Sequence, residues 1–117
     1  MIEKSDLIFI EHILESISAI AEFSKGITKE ALLKERLKQS AIIREIEVLG
    51  EAVKNISEKT KKKYAEVRWK EIAGTRDILI HNYFGIDIEI IWNIVNLDIP
   101  KLKPRIEKIK DDLNKSN

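Results

Sequence analysis

The sequence predicts an all-α protein, an up-and-down bundle of four to five helices. Apolar residues recur at spacings of three and four along most of the chain, and no segment alternates with period two for long. The four glycines and two prolines are few, and Gly26 and Gly85 fall where a periodic stretch stops. Ser5 can cap a first helix whose apolar positions are Leu7, Ile10, Ile13, Leu14, Ile17, Ile20 and Ala21, with Gly26 ending it. Thr28 can cap a second, carrying Leu33, Leu37, Ala41, Ile42, Ile46, Leu49, Val53 and Ile56, a stripe of about seven turns. Gly50 lies inside that stripe, where glycine costs about 1 kcal/mol of helix propensity and is best explained by another helix approaching closely.

Residues 57–68, SEKTKKKYAEVR, lose the period and read as a loop. A third helix is predicted from Trp69 to Tyr83, with a turn at Phe84-Gly85. Asp87 can cap a fourth, with Ile88, Ile91, Trp92 and Val95 on one side. Pro100 suits the first turn of a short fifth helix, although Pro104 disturbs its start. The first two rods, joined by a short connection, should pack as an antiparallel hairpin, and the breadth of their Ile/Leu stripes predicts a homodimer.

At 117 residues and 44% apolar content the chain is expected to form one domain, residues 1–117, with a core of its own. Its 21 basic and 20 acidic residues leave a net charge of +1, so any nucleic-acid site must be a local patch. Without cysteine there is neither a disulfide nor a thiolate zinc site. No apolar run reaches the ~20 residues of a membrane span. Asp6, Glu11 and Glu15 interrupt the N-terminal stretch too often for a signal peptide. A soluble cytoplasmic protein is the expectation.

Chemistry concentrates in RDILIHNYFG, residues 76–85. At 100° per residue Arg76, Ile80 and Tyr83 share one helical stripe, and Asp77 and His81 share the next. Asp77 can thus orient the imidazole of His81. Arg76 and His81 stand about 140° apart and converge only if the helix end bends, their side chains reach, or two protomers meet. If they converge, the imidazole can take a proton from a ribose 2′-hydroxyl or give one to a leaving 5′-oxygen. The guanidinium can clamp the phosphate and stabilise its developing charge. Taken alone, the spacing favours a plainer reading, a helix C-terminus with a dipole-stabilised histidine and an ordinary tyrosine. A metal site at Asp77, His81 and Asp87 has the wrong frame, and His12 lies off the apolar stripe, facing solvent. Lys61, Lys62 and Lys63 read as a solvated run, and Trp69 and Trp92 as core.

Across most of its length the chain resembles the HepT-like HEPN-domain toxins. The resemblance rests on LGEA at 49–52, WKEIAGTRDILIHNYFGID at 69–87, WNIV at 92–95 and IPKL at 99–102. It implies a dimeric α-helical ribonuclease, the toxin of a toxin–antitoxin pair, with Arg76 and His81 catalytic and Asp77 supporting them. It also implies a partner, an MNT-type nucleotidyltransferase antitoxin that transfers AMP to Tyr83. AMP groups there would fill the groove that receives RNA phosphates. Glu51 matches the acid of the family's Gly-Glu-Ala step and is assigned a cleft-shaping role. No cofactor or metal is required. The alternative from another class is a non-catalytic companion subunit, binding a nucleotide or a substrate for the transferase.

Overall fold

The computed structural model describes residues 4–80 and 87–115, with the backbone alone at 4, 5 and 76–80. It is all-α, with no strand among the described residues. Helix α1 spans Lys4–Ser24, α2 Lys29–Lys34, α3 Arg36–Lys54, α4 Glu58–Lys63, α5 Trp69–Ile80, α6 Ile88–Asn93 and α7 Ile99–Lys115, with a π-helical turn at Ile94–Asp98 joining the last two. The segments outnumber the predicted rods because the second rod is interrupted and a further helix, α4, forms where a loop was expected.

Ser5 lies inside α1 rather than capping it. The helix ends before Gly26, whose φ of 69° is the left-handed conformation glycine adopts without strain. Thr28 caps α2 as expected, its Oγ1 accepting from Ala31 N at 3.1 Å. The single seven-turn rod does not form. At Glu35 the backbone turns to φ −99°, ψ 85°, separating α2 from α3. The buried Gln39 stabilises the break by donating from Nε2 to Leu32 O (2.7 Å) and Leu33 O (3.0 Å). Those are carbonyls of the last turn of α2, which an ending helix leaves without partners. The break also takes Leu33 and Leu37 out of the apolar stripe, leaving them exposed.

The predicted hairpin is formed by α1 and α3, which make the most extensive helix–helix contact among the described residues. Its sense is antiparallel, because Asp6 at the start of α1 reaches Ser57, just past the end of α3. Oδ1 accepts from Ser57 N (2.9 Å), and Oδ2 accepts from Ser57 Oγ (2.7 Å) and Thr60 Oγ1 (2.6 Å). This clamp corrects the loop expected at 57–68. Ser57 caps α4 there, with Oγ accepting from Thr60 N, and Lys61, Lys62 and Lys63 lie in its last turn, where cations suit the helix dipole. Beyond α4, Tyr64 Oη donates to Asp112 Oδ2 (2.7 Å) and Trp69 Nε1 to Tyr64 O (3.0 Å). Trp69 is buried, as expected of a core residue, and Trp92 is half-buried against that core.

Asp87 caps α6 through Oδ1, which accepts from Glu89 N and Ile90 N. No short, separate fifth helix follows. The π-turn carries the chain into a 17-residue α7 with Pro104 inside it. Pro100 has no N–H for the carbonyl four residues back, and Ile99 N instead bonds Ile94 O, five residues back. Ile99, Leu102, Ile106, Ile109 and Leu113 then line the buried face of α7, packed against α1. Each fully buried isoleucine contributes about 1.5–3 kcal/mol of transfer free energy, and Ile10, Ile13, Ile20, Ile42, Ile91, Ile106 and Ile109 are all at 0% exposure. No helix among the described residues is long and apolar enough to cross a membrane.

Candidate active site

Helix α5 carries the first half of the motif. It starts at the buried Trp69, presents the half-buried Ile72 and Ala73 to the core, and packs against α3. Arg76 and Asp77 follow in the last described turns of the helix. His81 and Tyr83 lie outside the described residues. The convergence of Arg76 with His81, and the pairing of Asp77 with His81, therefore rest on the sequence.

Glu51 is exposed on α3, next to the buried Gly50. It helps to line an open cavity of about 350 Å³ between α1 and α3. Phe9 and His12, one turn apart on α1, form one wall, and Arg44, Glu47, Glu51 and Asn55 form the other. Arg44, Glu47 and Glu51 of α3 and Asn55 at its C-terminal cap follow one another at spacings of three and four, which sets them on one face. The Phe9 and His12 rings meet edge to face, with centroids 6.1 Å apart and planes at 85°. Asn55 Nδ2 donates to Glu51 O at 2.9 Å. The cavity therefore offers an imidazole, a guanidinium and two carboxylates around an aromatic edge, a mixed set suited to hydrogen bonding a polar ligand. Among the described residues no group of His, Asp and Glu is placed to hold a metal ion.

His12 is exposed, as the sequence suggested, yet it faces this cavity rather than only bulk solvent. The pattern gave no sign of that, because the cavity depends on how α1 meets α3. Arg44 and Glu47 carry no sequence signal of their own, being ordinary polar positions of an amphipathic helix. Among the described residues, the strongly perturbed group lies elsewhere. Burial, reinforced by the hydrogen bond to the Asp112 carboxylate, pushes the Tyr64 phenol up to about 12.

The model of the HepT-like ribonucleases matches residues 13–109, which takes in α5, α3 and the cavity's Glu51. The chain belongs to the HepT-like ribonuclease family. It is 43% identical over 102 residues to a Thermococcus cleftensis protein named "Probable ribonuclease HepT", covering 87% of this chain and 93% of that one. A Caldanaerobacter subterraneus protein named "Putative RNase" is 42% identical over 101 residues, covering 86% and 90%. With a Methanocaldococcus jannaschii protein named "Gamma-glutamylcyclotransferase and putative RNase" the identity is 46% over 109 residues. That match takes in 93% of this HepT-like chain but only 49% of the relative, so the chain spans about half that relative's length. No solved structure matches it.

Proposed function

We propose that this HepT-like chain is a metal-independent endoribonuclease, working as a homodimer and serving as the toxin of a toxin–antitoxin pair. The observation that carries the reading is membership of a ribonuclease family by a chain that keeps Arg76, His81 and Tyr83 in the motif spacing. In this reading His81 removes the proton of a ribose 2′-hydroxyl, whose oxygen attacks the adjacent phosphorus. The P–O5′ bond breaks, the 5′-oxygen leaves with a proton supplied by an imidazole of the dimer, and a 2′,3′-cyclic phosphate remains. Arg76 holds the non-bridging oxygens as charge builds on them, and Asp77 orients His81. Glu51 shapes the cleft from α3, the helix on which α5 packs. Tyr83 takes AMP from a nucleotidyltransferase antitoxin, and the added phosphates occupy the cleft.

The test is RNA cleavage in EDTA by protein whose mass has first been checked for attached AMP, with His81→Ala beside it. Cyclic-phosphate ends from the unsubstituted protein alone are expected. A strict need for a divalent ion would overturn the mechanism, and silence from unmodified protein would overturn the activity. For the modification, Tyr83→Phe should keep its nuclease activity and gain no AMP from the transferase. Equal mass gain in Tyr83→Phe and the parent would remove Tyr83 from that role.

A further inference from the structure

A second groove, of about 420 Å³, runs between α5, the inner side of α3 and the segment from the π-turn into α7. Helix α5 contributes Ile72, Glu71 and Thr75 to it, with Arg68 just before the helix, and the opposite wall brings Asp98, Lys101 and Arg105. Its floor is apolar, formed by core residues such as Leu49, Val67 and Ile94. The chain's near-neutral total hides a polarity around it. Helices α4 and α7 each carry a net charge of +3, while α1 carries −3. The α4 lysines precede the groove directly in the chain. Helix α7 is bound to the same region twice, by the Tyr64–Asp112 hydrogen bond and by Arg105 Nη1 donating to Glu66 O at 2.8 Å.

We propose that this groove is the track for the RNA strand flanking the cleaved bond, with Arg68, Lys101 and Arg105 on its phosphates. This rests on the ribonuclease reading above. Two observations on opposite sides of the groove favour it. The three guanidinium and ammonium groups are the cations of its rim, and all three residues are exposed. The groove also reaches Thr75, the residue immediately before Arg76, so a strand lying along it is delivered to the catalytic helix. Phosphate backbones bind chiefly by this kind of contact, releasing counterions as they do so. Glu71 and Asp98 on the same rim repel phosphate, but carboxylates accept hydrogen bonds from the exocyclic amines of bases. Bases turned toward the apolar floor and phosphates toward the cations satisfy both kinds of group, as single-strand binders commonly arrange.

The proposal is tested in the His81→Ala background, where RNA stays intact. The probe is a short fluorescent single-stranded oligoribonucleotide, with anisotropy followed over a range of KCl concentrations. Arg68→Gln with Lys101→Gln should weaken binding several-fold and flatten the slope of log K against log[KCl] by about 1.4, at ~0.7 for each phosphate no longer neutralised. Lys25→Gln with Lys34→Gln removes the same charge from exposed positions outside the groove and should leave the slope unchanged. Circular dichroism checks that both pairs fold. An unchanged slope in the groove pair, or an equal drop in the control pair, would overturn the track. Binding of poly-L-glutamate as tight as that of the RNA would also overturn it, pointing to an acidic protein as the occupant. Cleavage by the parent is scored separately. If the parent does not cut RNA while the groove pair still shows the flattened slope, the ribonuclease reading fails and the track stands.

Discussion

Two polar clusters join α1 to α3 or its exit, and they differ in nearly every physical respect. At one, Asp6 is 1% exposed and its carboxylate accepts three hydrogen bonds from Ser57 and Thr60. At the other, His12, Arg44 and Glu51 stand exposed around an open cavity. A buried carboxylate persists only when it is hydrogen-bonded, and at 1% exposure it has no room for a ligand, so the first cluster acts as a clamp. The second is open to solvent and has room for one. Residue type would have ranked the two alike, and burial separates them.

That contrast breaks if the wrong cluster governs the wrong property. The largest expected effect is on chemistry. His81→Ala should lower RNA cleavage by roughly 10²–10⁴-fold, the usual contribution of a general acid–base group, with its thermal midpoint unchanged by calorimetry. Loss of folding together with activity would recast His81 as structural. Next comes the clamp. Asp6→Ala strands two hydroxyls and a backbone N–H and should cost about 3 kcal/mol in urea unfolding, while the folded fraction keeps its cleavage rate. A cost below ~1 kcal/mol would mean that water replaces the carboxylate.

A smaller effect is expected at Tyr64, which belongs to the buried side of the comparison. Tyr64→Phe removes the hydrogen bond to Asp112 and should cost about 1 kcal/mol at neutral pH. The folded phenol holds its proton up to about 12, whereas an unfolded tyrosine releases it near 10. Stability from this group is thus fully present below pH 10 and falls as pH rises from 10 to 12. Phenylalanine should abolish that alkaline decline, and its persistence would assign it to the lysines. Smallest of all, His12→Ala in the open cavity should change stability by no more than about 0.5 kcal/mol. A larger loss would show the cavity wall to be part of the frame.

Local signals in the sequence located what local physics determines. The Thr28 and Asp87 caps, the stop at Gly26 and the buried Trp69 follow from side chains acting within a few residues of themselves. Long-range contacts were invisible to the same reading. The start of helix α4 at Ser57 is held by a carboxylate 51 positions earlier, and in the sequence Asp6 is only an interruption in an apolar stretch. The break at Glu35 involves neither glycine nor proline, and its stabiliser, Gln39, is a common surface residue drawn inward. Of the site, Arg76 and Asp77 come to lie on the helix the pattern foresaw, and Glu51 borders a cavity. The rest of that cavity arises from how two helices meet, and the groove beside α5 from a fold that gathers scattered cations. A net charge of +1 conceals both.

The Asp6 clamp also sets an order of events. Its partners are far apart in sequence, so it can close only after α1 and α3 have already come together. A contact that closes after the rate-limiting step of folding leaves that step untouched and instead slows escape from the native state. In stopped-flow chevrons, Asp6→Ala should therefore steepen nothing and shift only the unfolding arm upward. The carboxylate is then a latch on lifetime, deciding how long the bundle stays shut once it has formed.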